Sequence, residues 1–197
     1  DGEAHELAVP VPAAGVHWLE FDDQAAGWSI TAEAGRPFCL ALRRDDYARH
    51  LGQMQRVYFY VPRGTRRVDY FWNGRPHEVL GPDGQSLSKV TARGKIVQID
   101  VPEGADGRAW SFSKLPTGRL WLLNCPNLLA ASPDALLVPR DVAEADGLGA
   151  RKALLPPDRN PTRAGHHVPE ARVLVSGSRA LPATATLPRR GRFARDR

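Results

Sequence analysis

QRVYFYVPRGTRRVDYFWNG, residues 55–74, is the stretch that decides the fold. Before and after Pro62–Thr65, every second residue shares one type of side chain. This period of two is typical of a β-strand with one buried face. Pro and Gly between the two runs indicate a turn. The stretch therefore predicts two strands joined by a turn. The side chains predicted to be core are Val57, Phe59, Val61, Val68, Tyr70 and Trp72.

A second stretch, KIVQIDVPEGADGRAWSFSK at residues 95–114, repeats this pattern in outline. Val101–Gly104 matches Val61–Gly64, and proline ends a strand in both because it has no N–H to donate. The predicted core residues of the repeat are Val97, Ile99, Val101, Trp110 and Phe112. The hairpin of residues 55–74 is therefore interpreted mainly as a repeated scaffold.

The remaining segments also read mostly as short strands. Residues 15–22, 27–34 and 38–43 predict a three-stranded meander, and 76–91 predicts a hairpin around GPDGQ, since Asp-Gly favours a tight turn. TGRLWLL, residues 117–123, is apolar on both faces, which predicts a central or covered strand. A short helix is expected over Pro139–Asp146, ended by Gly147. About ten strands with hardly any helix predict an all-β antiparallel sandwich or jelly roll.

Composition divides the chain into three parts. Residues 1–14 are interpreted as a linker or edge strand, with a short strand at Leu7–Val9, and 15–149 as the sandwich domain. Residues 150–197 hold 11 Lys/Arg against 3 Asp/Glu, whereas 1–149 hold 16 against 19. With six prolines and Phe193 as its single aromatic residue, the segment 150–197 predicts a basic, disordered tail.

Charge and hydropathy exclude two classes of partner. A nucleic-acid binder needs a basic stripe on a folded face, and residues 1–149 are slightly acidic. No run of eighteen apolar residues occurs, so no membrane-spanning helix is expected. Because the sequence begins at Asp1, without Met or an apolar leader, we expect it to be a piece of a longer chain.

Two cysteines, Cys39 and Cys125, are too far apart in sequence for a zinc motif. One interpretation is a disulfide that stabilises the fold by roughly 4 kcal/mol. The other is a pair of buried free thiols that pack as small apolar residues.

No catalytic or metal-binding motif occurs in the sequence, and we expect no cofactor. His77–Glu78 is interpreted as a surface pair at the start of a strand. Acidic clusters at Asp22–Asp23, Asp45–Asp46 and Asp100/Glu103/Asp106 favour solvated turn residues, with a structural Ca²⁺ site as the alternative.

The most specific candidate site is the outward-facing set Tyr58, Tyr60, Asp69 and Phe71. Aromatic rings on a sheet face can stack on sugar rings while a carboxylate bonds the hydroxyls. The same pattern also fits a contact with a neighbouring domain or burial in a core. These three interpretations stay open at this stage.

Four motifs carry a resemblance to a known kind of domain: VYFYVPRGTRRVDYFW (57–72), GPDGQ (81–85), VPEGADGRAWSF (101–112) and LLVPRDV (136–142). Over about residues 15–147 the chain resembles β-sandwich accessory domains of jelly-roll or galactose-binding-like type. Such domains occur in large secreted bacterial proteins, often beside glycoside hydrolase modules. The resemblance implies a non-catalytic role that includes carbohydrate binding, and it places no ligand residue on this chain.

Three functional hypotheses follow. The first is a non-catalytic module of a larger extracytoplasmic protein, either a weak carbohydrate binder or a spacer beside a catalytic domain. The second is a small glycan-active hydrolase, which needs two carboxylates in one cleft. The third is an interaction module whose basic tail binds an acidic partner.

Overall fold

The computed structural model describes residues 4–10, 15–21, 29–31, 37–42, 56–91, 93–113, 118–149, 154–155, 171–177 and 182–188. Side chains are described for Val16, 37–42, 56–91, 93–113 and 118–149. The acidic pairs Asp22–Asp23 and Asp45–Asp46 lie outside the described residues.

The regular secondary structure of the described residues is almost entirely β-strand, which confirms the all-β class. The strands are β1 (Ala4–Pro10), β2 (Gly15–Phe21), β3 (Ser29–Thr31), β4 (Phe38–Ala41), β5 (Arg56–Val61), β6 (Arg67–Gly74), β7 (His77–Leu80), β8 (Ser86–Val90), β9 (Lys95–Asp100), β10 (Arg108–Ser113), β11 (Gly118–Leu122), β12 (Leu128–Leu129), β13 (Val138–Pro139), β14 (Leu154–Leu155), β15 (Ala171–Gly177) and β16 (Pro182–Pro188). A short helix, α1 (Arg140–Ala145), follows β13, as the sequence predicted.

Two antiparallel sheets form the centre of the molecule. Sheet I has the order β5-β10-β7-β8, and sheet II has the order β11-β6-β9. The pairs β5:β10, β6:β9 and β7:β8 follow one another along a single folded ribbon and lie alternately in sheet I, sheet II and sheet I. This wound ribbon is the connectivity of a jelly roll.

The turn between β5 and β6 joins the two sheets and does not close a hairpin. β5 pairs with β10, whereas β6 pairs with β9 and β11, so the hairpin interpretation of residues 55–74 was wrong. Alternation defines which face of each strand is apolar. It does not say whether those faces lie side by side in one sheet or opposite each other across a core.

The two Val-Pro-x-Gly turns are equivalent in structure and lie side by side. Thr65 N–H donates to the Pro62 carbonyl at 3.2 Å, and Ala105 N–H donates to the Pro102 carbonyl at 3.0 Å. Gly64 and Gly104, at matching positions, have φ of 78° and 73°. The Asp106 carboxylate accepts a hydrogen bond from Gly64 N–H at 2.7 Å, which ties the first turn to the second.

The sandwich core contains all the side chains predicted for β5 and β6. Phe59 stacks on Phe112 with ring centroids 4.7 Å apart, and Tyr70 meets Phe112 edge-on at 5.3 Å. Trp110 is fully buried and donates from Nε1 to the Ala105 carbonyl at 2.8 Å. Aromatic rings from both sheets therefore form one continuous core.

A second core cluster covers the opposite face of β5 near Tyr60. It is built from the segment after β12 and from β4: Cys39, Tyr60, Leu128, Ala130, Leu136, Leu137, Val138 and Ala143. Ala130, directly after β12, exchanges backbone hydrogen bonds with Tyr58 at 2.8 and 3.0 Å. The segment 124–134 thus contains strand β12 and joins sheet I to β4.

Both cysteines are buried free thiols. The Cys39 thiol accepts a hydrogen bond from Leu137 N–H at 2.9 Å, so it fastens the segment before β13 to β4. Burial raises the pKa of each thiol to about 12, which keeps both protonated and unreactive.

The N-terminal strands pair with the C-terminal segment, not with one another. β15 lies between β2 and β4, and β16 lies between β1 and β3, so the predicted meander is not formed. Three ranges of the segment 150–197 are strands, and the rest of this predicted tail lies outside the described residues. The average composition of residues 150–197 hides the local stretch ARVLVSG at residues 171–177. The apolar residues of this stretch suit a β-strand when partner strands are present.

Within the residues that the structure describes, no helix is long and apolar enough to cross a membrane.

Candidate functional site

The four residues predicted to form one surface lie on two opposite faces of the sandwich. On β5, Val57, Phe59 and Val61 face the core, so Tyr58 and Tyr60 point away from sheet II. On β6, Val68, Tyr70 and Trp72 face the core, so Asp69 and Phe71 point away from sheet I. The set therefore does not form a single platform, because its two strands belong to different sheets.

Tyr60 is a buried structural residue. Its side chain is 1% exposed, and its hydroxyl donates to Asp146 Oδ2 at 2.7 Å. Arg63 N–H donates to the same oxygen at 2.9 Å, and Asp146 is itself 3% exposed. Burial raises the pKa of Tyr60, and the hydrogen bond to Asp146 adds to the effect. For Tyr60 the structure thus selects burial from the three interpretations left open by the sequence.

The outer face of sheet II carries a row of apolar side chains across its three strands. Phe71 on β6 lies opposite Ile96 on β9 and opposite Trp121 on β11. Phe71 and Trp121 are half-buried, and Ile96 is 59% exposed. We call Ile96, Phe71 and Trp121 the apolar row.

Leu123 extends this apolar surface along the β11 side. Its N–H donates to the Asp69 carbonyl at 2.9 Å, which places it beside Asp69 in the next position along the sheet. Leu123 is 47% exposed, and it and Ile96 are the large hydrophobic side chains that remain exposed among the described residues. Both lie on this face, so the exposed apolar surface is concentrated there.

Polar groups surround the apolar row. Arg67 donates to the Asp69 carboxylate through Nε at 2.8 Å and through a terminal nitrogen at 3.2 Å. Gln98 lies opposite Asp69 on β9, and Arg119 lies opposite Asn73 at the far end of the face. The pKa of Arg67 is raised, first by its hydrogen bond to Asp69.

The backbone beneath Asp69 is held by the side chain of Asn124. Its Oδ1 accepts from Asp69 N–H at 2.9 Å, and its Nδ2 donates to the Arg67 carbonyl at 2.7 Å. The Asn124 amide thus continues the pairing of β11 by one more position and fixes the strand that carries Asp69 and Phe71.

Sequence reasoning did not identify Ile96, Trp121 or Leu123 as surface residues. The strand of residues 117–123 was expected to be central or covered. β11 is instead an edge strand of sheet II, so its second apolar face points outward. The sequence TGRLWLL does show a strand that is apolar on both faces. Alternation alone cannot show whether other parts of the protein cover the second face.

His77 lies in the core and not on the surface, which corrects the predicted surface pair with Glu78. It is 6% exposed, and its Nε2 is 2.8 Å from the Tyr70 hydroxyl. The Trp72 and Phe112 rings pack against it with centroids at 4.6 and 5.6 Å. Burial lowers the pKa of His77 to about 4, so the ring is neutral at physiological pH.

Several of the described carboxylates make structural contacts. Asp83 pairs with Arg108 at 2.8 Å, Glu78 accepts a hydrogen bond from Ser86, and Asp106 holds Gly64. Within the described part of the chain, no three His, Cys, Asp or Glu side chains group as metal ligands would.

Comparison with protein-family models, with curated proteins and with solved structures found no match.

Proposed function

We propose that this chain is a non-catalytic β-sandwich module of a larger extracytoplasmic protein and that it binds carbohydrate weakly through the outer face of sheet II. The observation that carries the proposal is the apolar row, set among side chains that donate and accept hydrogen bonds. This face replaces the predicted set of four, of which it keeps Asp69 and Phe71.

The chemistry of the face suits a sugar ring. One side of a pyranose presents C–H groups that pack on aromatic and aliphatic side chains, while its hydroxyls need polar partners. Phe71 and Trp121 supply rings on neighbouring strands. Asp69 and Gln98 lie two residues further along their strands, which is the next position on the same face, and supply acceptors; Gln98 also supplies donors.

Geometry also favours an extended ligand. Three neighbouring strands place the apolar row over a width of about 10 Å, at 4.7–4.9 Å between strands. A ligand bound on a sheet face keeps one side in water, which fits weak binding to a chain of several sugars. The resemblance to accessory domains found beside glycoside hydrolases supports the same ligand class.

The test is affinity electrophoresis and glycan-array binding with the full 197-residue chain. Trp121→Ala and Phe71→Ala should each weaken binding about tenfold, a loss of about 1.4 kcal/mol, because each removes a stacking surface. Tyr58→Ala is the matched control, since it removes a half-buried aromatic ring from the opposite face of the sandwich.

Two results would contradict the proposal. One is that the unmodified chain binds no polysaccharide or glycan, which leaves the role of a spacer. The other is binding that Tyr58→Ala weakens as much as Trp121→Ala does, which would place the ligand elsewhere.

A further inference from the structure

We infer that β9 is an interface strand that pairs antiparallel with β9 of a second copy of this chain. The inference rests on the edge of sheet II and does not depend on carbohydrate binding. β9 is the last strand in the order β11-β6-β9, so one side of it has no strand neighbour among the described residues.

The alternation of backbone hydrogen bonds along β9 shows which N–H and C=O groups point toward β6 and which point toward the side without a strand neighbour, called the open side. Val101 N–H donates to the Arg66 carbonyl at 2.9 Å, in register with the β6:β9 pairing. Bonded and non-bonded pairs alternate along an antiparallel ladder. Ile99, Val97 and Lys95 therefore bond toward β6. The residues that direct N–H and C=O away from β6 are Ile96, Gln98 and Asp100.

The two edges of sheet II differ in how they are protected. On the β11 edge, Asn127 Oδ1 accepts from Leu122 N–H and Asn127 Nδ2 donates to the Leu122 carbonyl, both at 2.8 Å. This side chain occupies the position that a neighbouring strand would take. No comparable side chain covers β9 within the described residues, and its ladder with β6 is regular from Lys95 to Asp100. Edges left open in this way accept another strand.

A second copy of β9 is complementary to the first. Around a two-fold axis at Gln98, Gln98 opposes its own copy and Ile96 opposes Asp100, so all the open backbone groups find partners. In each of these residue pairs the two side chains lie on the same face of the joined sheet, as in any antiparallel pair. On the core side, half-buried Val97 would lie beside Ile99 of the second copy, which would extend the apolar layer.

Charge favours the same arrangement. β9 has a basic beginning, with exposed Arg93 and Lys95, and an acidic end, with exposed Asp100 and Glu103. An antiparallel pair sets the basic end of each copy against the acidic end of the other. Arg93 and Glu103 lie in the bend and the turn that flank β9, so the register around Gln98 brings Arg93 of one copy near Glu103 of the second. A parallel pair would bring like charges together. The charge pattern therefore favours the antiparallel arrangement with two-fold symmetry.

The first test measures the molar mass of the full chain by sedimentation over a range of concentrations. We expect a monomer–dimer equilibrium that Gln98→Pro weakens at least about tenfold. Proline removes an N–H that faces the open side and no bond to β6, so the melting temperature of the monomer should change little. A chain that stays monomeric throughout, or a dimer indifferent to Gln98→Pro in a folded protein, overturns the inference.

A charge exchange tests the register independently of proline. Arg93→Glu and Glu103→Arg should each weaken the dimer, because each sets like charges opposite one another at both ends. Combining both substitutions in one chain should restore the dimer. Mixing the two single variants should also restore it, because opposite charges then meet between the two different chains. If the double variant dimerises as poorly as the singles, the proposed register is wrong.

A cysteine at the axis gives a covalent readout. Gln98→Cys should form a disulfide-linked dimer under mild oxidation, because directly opposed residues of a bonded pair have Cα atoms about 5.5 Å apart, within disulfide range. The native thiols do not interfere, since both are buried. Asp134→Cys, an exposed position away from β9, is the control and should remain mostly unlinked.

Discussion

His77 is a titratable side chain inside an aromatic core, and that position gives it a measurable effect on stability. It lies among Tyr70, Trp72 and Phe112, with one hydrogen bond to the Tyr70 hydroxyl. Its second ring nitrogen is buried without a hydrogen-bond partner in the described part of the structure. A proton on this ring would place a charge in an apolar environment, which is why burial depresses its pKa.

The sign of the pH effect follows from that depression. The pKa of His77 is about 4 in the folded chain and about 6.5 when unfolded, so between these values the unfolded chain binds more protons. The free energy of unfolding should therefore fall as pH drops from about 6.5 to 4, by about 3 kcal/mol from this residue. His77→Gln should remove this component. The measurement is denaturant unfolding at several pH values, and equal slopes for the two proteins would show that His77 does not titrate in this way.

At the scale of single residues, the sequence predicted burial well where a side chain is apolar and poorly where it is polar. Every core residue assigned to β5 and β6 is in the core. His77, Tyr60 and Asp146 were not assigned there. Tyr60 and Asp146 are buried because they satisfy each other across 86 positions of the chain, and His77 is buried beside the Tyr70 hydroxyl of the opposite sheet. Alternation within one strand cannot reveal either contact.

At the scale of elements, the repeated Val-Pro-x-Gly segments have a common structural role. Each turn carries the chain from one sheet to the other, so the two arms of the ribbon bend at the same place. The sequence predicted both turns and their equivalence. It did not predict that they cross between sheets, because short connections such as residues 62–66 and 101–107 can close a hairpin or join two layers.

The turn glycines should therefore be equally sensitive to substitution. Gly64 and Gly104 have positive φ, and a Cβ at either position would meet no atom within 4 Å. Alanine at either site should lower the free energy of unfolding by about 1 kcal/mol through backbone strain alone.

Gly149→Ala is the control for this prediction, since its site is equally open and its φ lies outside the positive range. Chemical denaturation of the three variants provides the comparison. The equivalence of the turns would be refuted if Gly104→Ala were as neutral as Gly149→Ala while Gly64→Ala was not.

At the scale of the whole molecule, the sandwich does not end at its two central sheets. β12, β13 and α1 cover the outer face of β5, and strands from both chain ends pair beside them. Local patterns predicted the all-β class, with about ten strands where the structure describes sixteen. They did not predict this order, because β15 and β16 pair with partners more than a hundred positions away, and such pairing is decided by the assembled fold.

Tyr60 connects the sandwich to this covering segment. Removal of its hydroxyl should therefore destabilise the covering segment more than the rest of the molecule. Tyr60→Phe removes one of two described donors to the buried Asp146 carboxylate. We expect a loss of about 1–3 kcal/mol, because a buried charge keeps its desolvation cost when a donor is lost. Hydrogen exchange should accelerate first in residues 135–148, while amides of β6 and β9 should follow only the change in global stability.

Tyr58→Phe is the matched control, since Tyr58 lies on the same strand and face and its hydroxyl has no hydrogen bond to a described residue. That substitution should change the free energy of unfolding by less than about 0.5 kcal/mol. If the two variants gave the same stability and the same exchange pattern, Asp146 would not depend on Tyr60. The covering segment would then be held by its apolar contacts and by its other hydrogen bonds, among them Leu137 to Cys39 and Phe38 to Ala135.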